Sequence, residues 1–167
     1  MARGLNNLAV LLSVTNRLAE AEALYRRALA ITEKSFGPEH PNVAIRLNNL
    51  AELLRDTNRL AEAEPLYRRA LAIFEKSFGS KHPNVAISLN NLAALLRDTD
   101  RLAEAEPLSR RHLRIFAEFG HRTGYVHPHF HAATNNYADL LSAMGLSQDA
   151  IAARVRSAIE SEPEESA

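Results

Sequence analysis

Asparagines recur in pairs along the chain: Asn6/Asn7, Asn48/Asn49, Asn90/Asn91 and Asn135/Asn136. A side-chain amide carries a donor and an acceptor together, so it can pair with the N–H and C=O of another backbone without reading its side chains. Asparagine is also a mediocre helix former, and its return inside an apolar pattern needs a reason. Two roles compete for it. One member of each pair can lock the fold by bonding a neighbouring loop, and the other can face a ligand. What varies around the pairs would set specificity. Glu52 has Val10, Ala94 and Asp139 as its counterparts, and Arg55 has Ser13, Arg97 and Ser142. Arg55 and Arg97 are candidate anchors for an acidic side chain or a terminal carboxylate, because a guanidinium pairs bidentately. Glu52, Asp56 and Asp98 partly neutralise them, and a solvated charge mixture is the competing reading. Val10 and Val14 form an apolar i, i+4 pair where other copies are polar. The expected cover is a hydrophobic residue of a ligand or a second copy of the chain.

The histidines of "YVHPHFH" place His127, His129 and His131 in alternation, a weak candidate for zinc or nickel. His127 is also the counterpart of His40 and His82 in a recurrent His-Pro step, and a structural site needs about four ligands. The expectation is no metal and no cofactor. Arginine pairs at Arg26/Arg27, Arg68/Arg69 and Arg110/Arg111 follow Glu22, Glu64 and Glu106 at helical i, i+4 spacing, which predicts surface ion pairs rather than a nucleic-acid stripe. No glycine-rich phosphate loop or nucleophile–base spacing appears, so no enzyme is expected. Lysine plus arginine equals aspartate plus glutamate, 20 against 20, and offers no field toward nucleic acid or an acidic membrane. The lack of cysteine fits a reducing compartment, and without a signal or membrane-length apolar run the expected location is cytoplasmic.

A fixed period positions these residues. "LNNLA" starts at Leu5, Leu47 and Leu89, steps of 42, and "RLAEAE" starts at Arg17, Arg59 and Arg101. A degraded copy, "TNNYADLL", begins at Thr134, three residues late, which predicts a longer loop within Ala117–Gly124. Inside one copy, Ala44, Leu47, Leu50, Ala51 and Leu54 form one helical stripe, and Ala63, Leu66, Tyr67, Ala70, Leu71 and Phe74 form a second. Asn58 is the predicted N-cap of the second helix. Gly37 and Gly79 are predicted to end such helices in a left-handed turn, with His-Pro reopening the next. Pro65 and Pro107 fall inside second helices and predict a bend. Each copy is thus a helical hairpin that needs its neighbours for cover.

The large–small–large pattern Leu47, Leu50, Ala51, Leu54, Ala63, Tyr67, Ala70 resembles the tetratricopeptide repeat. The 42-residue period with "LNNLA", "AEPLYRRAL" and "GxxHP" is similar to the variant in kinesin light chain and related bacterial proteins. The resemblance implies an all-α, right-handed solenoid of antiparallel helix pairs whose concave groove, lined by first helices, binds peptide segments. It covers nearly all of the chain, as one array over 1–160 with repeats near 1–42, 43–84, 85–129 and 130–160. The last repeat acts as a cap before an acidic tail at 161–167. Ser109 and His112 depart from the pattern's tyrosine and alanine. In the last helix, sliding the alignment by one residue replaces Arg154 and Ser157 with the stripe Ile151, Val155, Ala158, Ile159. Met1 aligns with Val43, so the first repeat looks uncapped.

The expected function is non-catalytic binding of a peptide or extended protein segment. The groove residues would be Asn6, Asn7, Val10, Asn48, Asn49, Glu52, Arg55, Asn90, Asn91, Arg97, Asn135 and Asn136. Three alternatives stand beside it: a homo-oligomer through the uncapped first repeat, an arm of a larger signalling protein, and a metal enzyme around His127–His131.

Overall fold

The computed structural model describes residues 2–160. The acidic tail and Met1 lie outside the described residues. Eight helices run in chain order among them: α1 (Ala2–Val14), α2 (Leu18–Phe36), α3 (Pro41–Asp56), α4 (Leu60–Phe78), α5 (Pro83–Asp98), α6 (Leu102–Thr123), α7 (Phe130–Ala143) and α8 (Gln148–Glu160). The chain divides into two compact units, Met1–Ser80 and Lys81–Ala167. In the first, α1 packs on α2, α2 on α3, and α3 on α4. In the second, α5 packs on α6, α6 on α7, and α8 lies against both α6 and α7. Hairpins begin at Pro41 and Pro83, two residues before the expected repeat boundaries. No described helix is long and apolar enough to cross a membrane.

The apolar stripes are the core. Leu47, Leu50, Ala51, Leu54, Ala63, Tyr67 and Ala70 are all buried, as are their later counterparts Leu89, Leu92, Ala93, Leu96 and Ala105. Each large side chain of this kind contributes roughly 1.5–3 kcal/mol by leaving water. The alanines let helix backbones approach where a longer side chain would overpack. The slid alignment of the last helix holds. Ile151 and Ala158 are buried, Val155 and Ile159 half-buried, and Arg154 and Ser157 exposed.

The helix ends correct two expectations. Asn58 is not an N-cap. Its φ is 59°, its N–H donates to Arg55 O at 2.9 Å, and Arg59 N–H donates to Leu54 O at 2.8 Å. That pair of bonds is a Schellman closure of α3, with asparagine taking the left-handed position it tolerates better than most residues. Asn16, Asp100 and Gly145 close α1, α5 and α7 in the same way. Arg59 then starts α4 with no cap from its side chain, which instead grips Glu62 at 2.7 Å. Gly37 and Gly79 do carry positive φ, but with ψ of 160° and 165° they are extended rather than left-handed helical, a region essentially restricted to glycine.

The His-Pro steps start helices as expected. His40 Nδ1 accepts from Asn42 N–H and His82 Nδ1 from Asn84 N–H, both at 3.1 Å, while each proline occupies the first turn. The three inserted residues do not form a loop. They lengthen α6 to 22 residues against 19 in α4, with Gly120 helical and the first positive-φ glycine of this repeat at Gly124.

Pro65 and Pro107 leave α4 and α6 uninterrupted; α4 has the same 19 residues as α2, which carries Ala23 there. Proline at 65 still removes the N–H that would reach the Ala61 carbonyl. Pro65→Ala is therefore expected to stabilise the chain by roughly 1–3 kcal/mol, read as a higher urea midpoint with an unchanged slope.

Candidate functional site

Four of the asparagines bond to one another, between first helices of successive hairpins. Asn49 Nδ2 on α3 donates to Asn6 Oδ1 on α1 at 2.8 Å. In the other unit Asn136 Nδ2 on α7 donates to Asn90 Oδ1 on α5, also at 2.8 Å. The register is the same in both: the second amide of the later hairpin meets the first amide of the earlier one. An amide pair joined by one bond keeps one NH2 group on the acceptor and one C=O on the donor. That remainder is the same whichever way the two amides are turned. Asn6 and Asn48 are buried, Asn49, Asn90, Asn91 and Asn136 half-buried, and Asn7 and Asn135 exposed.

Around the amides of the first unit, Glu52 and Val10 are exposed and Arg55 is half-buried. Glu52 and Asp56 lie near the buried Tyr25. Burial first, and then these two carboxylates, push its phenol up, while a bond with Ser13 works the other way. Val10 and Val14 are 44% and 80% exposed, joined on α1 by Leu8 and Leu11, which the sequence reading left out. It also missed Arg46. Its Nε is buried without a hydrogen-bond partner among the described residues, and burial together with the Arg3 charge pulls its guanidinium down. Its counterparts Gly4, Ser88 and Ala133 are uncharged, so a cation at that one position was the available signal.

In the second unit Asn90 and Asn136 open onto a pocket of about 210 Å³ shared with Ile87, His112, Phe116 and His129. His112 is 4% exposed, its Nδ1 has no partner among the described residues, and burial, helped by the His129 charge, lowers its pKa to about 4. It meets Phe116 edge-on at 5.2 Å between centroids, and Phe116 stacks on His127 at 4.3 Å. His112 therefore fills the place of the repeat's alanine with a buried ring packed on Phe116. On the metal reading, His127 and His129 lie 5.4 Å apart between centroids, but His127 Nδ1 is taken by the N–H of His129, and His131 packs against Phe130. No group of three or more His, Asp or Glu among the described residues is placed to hold a metal ion.

Arg97 is exposed, on the last turn of α5. The second-helix ion pairs form in part as spaced. Glu22 holds Arg26 at 2.9 Å and Glu64 holds Arg68 at 2.7 Å. Arg59 also crosses to Glu22 at 2.6 Å, tying α4 to α2. Glu106 turns elsewhere, accepting from the Tyr137 hydroxyl at 2.7 Å with Arg154 at 3.5 Å. Burial and that bond push Tyr137 up to about 12.

A fold of repeated helical hairpins with polar residues translated along the first helices defines a class of interaction scaffold. The family model for the tetratricopeptide repeat matches residues 1–76 and 47–118, and the chain belongs to that family. Among solved structures, BtubC (BKLC) from P. vanneervenii is similar over 99% of this chain and 68% of its own, at 26% identity and a TM-score of 0.77. A Podosopora anserina protein described as a kinesin light chain of nearly identical TPR-like repeats shares the fold over 93% of both chains, at 20% identity and a TM-score of 0.62. A single-substitution form of that protein matches equally well. No curated protein matches the chain. Repeats of this family generally serve as non-catalytic scaffolds for protein–protein interaction.

Proposed function

We propose that the chain binds an extended segment of a partner protein along the exposed faces of its first helices, with asparagine amides pairing to the segment's backbone. The observation that carries this is the amide pair, Asn6–Asn49 and Asn90–Asn136, built twice at the same distance. Each pair retains a donor and an acceptor, the complement of a peptide group. Arg55 and Arg97 add guanidinium groups on the same helices, and Val10 adds an apolar contact. Specificity arises from these varied neighbours, and backbone capture from the repeated amides.

The test selects peptides from a random library on the full chain and maps the strongest by hydrogen exchange. Protection is expected on α1 and α3 or on α5 and α7. Asn6→Ala with Asn49→Ala is expected to weaken a peptide mapped to the first unit at least ten-fold, about 1.4 kcal/mol. A footprint confined to α2 and α4, or unchanged affinity in a double variant that remains folded, overturns the reading.

A further inference from the structure

The pocket of the second unit departs from the repeat in two places. His112 stands where the earlier repeats carry Ala28 and Ala70, and Ala132, which also lines the pocket, stands where the two preceding repeats carry Ile45 and Ile87. One change brings a polar ring into the wall and the other clears space in front of it. The resulting cavity is about 210 Å³, room for a side chain of several heavy atoms. Its lining includes two amides and two imidazoles but no Asp, Glu, Lys or Arg. A charged guest would give up hydration without gaining a fixed countercharge. A purely apolar guest would leave the spare NH2 of Asn90 and the spare C=O of Asn136 unmet. A neutral group that both donates and accepts satisfies both, and Ile87, Phe116 and Ala132 supply apolar surface for a short aliphatic stem.

We propose that this pocket receives a primary carboxamide, the side chain of a glutamine, from the bound segment. The donor–acceptor remainder of the Asn90–Asn136 pair would meet the guest amide, and the His112 ring would form part of the wall beside it. The assignment deepens the peptide-binding reading and rests on it for its biological meaning, while the pocket's chemistry is testable without any peptide.

The first probe is glutamine blocked at both ends as N-acetyl and N-methylamide, titrated into the full chain and followed by the NMR signals of the His112 ring and the Asn136 side chain. Saturable shifts at both are expected, with dissociation in the millimolar range suited to so small a ligand. The blocked glutamate and leucine analogues should bind at least ten-fold more weakly. His112→Ala, which restores the residue of the earlier repeats, should erase the preference while the fold is retained. No saturable shift, equal binding of the three, or preference for glutamate overturns the assignment. Failure of the peptide reading looks different: blocked glutamine still titrates His112, but no selected peptide footprints on the first helices.

Discussion

Acidification from pH 7 to pH 4 is expected to remove about 3 kcal/mol of stability from the chain through His112 alone. The imidazole is buried, and its pKa falls from 6.5 to about 4 chiefly because burial disfavours the charged form, with the His129 charge adding to it. Between those values the unfolded chain holds a proton that the folded one does not. Stability is therefore fully present above pH 6.5 and is lost as the pH falls toward 4. The interval from 6.5 to about 4, at about 1.36 kcal/mol per pH unit, sets the size. Carboxylates also titrate toward the acid end, so the informative quantity is a difference. Urea unfolding of the natural chain and of His112→Ala, each at pH 7, 5.5 and 4, isolates it: the natural chain should lose about 3 kcal/mol more than the variant. Parallel losses would show that His112 accepts its proton without disturbing the fold.

His112 also shows what the sequence alone could convey. Its departure from the repeat's alanine was visible, and so was the period that made it a departure. Its environment was not, because burial depends on Phe116 and His129, a turn of helix and a loop away. The same limit applies to the amides. Helical periodicity places Asn49 beside the core stripe, but the partner of its N–H is Asn6, 43 residues earlier, and that register exists only once two hairpins are stacked. Helix ends were read less well than helix faces. Asn58 before Arg59 fits an N-cap by type, yet the chain needs a left-handed residue after α3, and asparagine serves that need as well. The three extra residues of Ala117–Gly124 looked like a longer loop because added length between repeats is usually taken up by connections. Here Gly120 is helical and meets nothing closer than 3.7 Å at its missing Cβ, so α6 continues through it.

Phe116→Ala is expected to cost roughly 3–5 kcal/mol, the range for removing a buried aromatic ring. The ring is 1% exposed, stacks on His127, meets His112 edge-on, and forms a wall common to the 210 Å³ pocket and a neighbouring one of about 250 Å³. Phe116→Leu keeps most of the volume and should cost about 1.5 kcal/mol or less. The counterpart in the second repeat is Phe74, also buried, and that in the first is Thr32, buried with its hydroxyl on Ala28 O at 2.7 Å, so the ring recurs without being needed in every copy. The two expectations are also linked. Deleting the ring joins the pockets and admits water to His112, which relieves the desolvation that lowers its pKa. The acid loss measured for Phe116→Ala should then fall well below the roughly 3 kcal/mol of the natural chain, while that of Phe116→Leu stays close to it. Equal acid losses in the two variants would mean that His112 is shielded by the helix backbone rather than by Phe116.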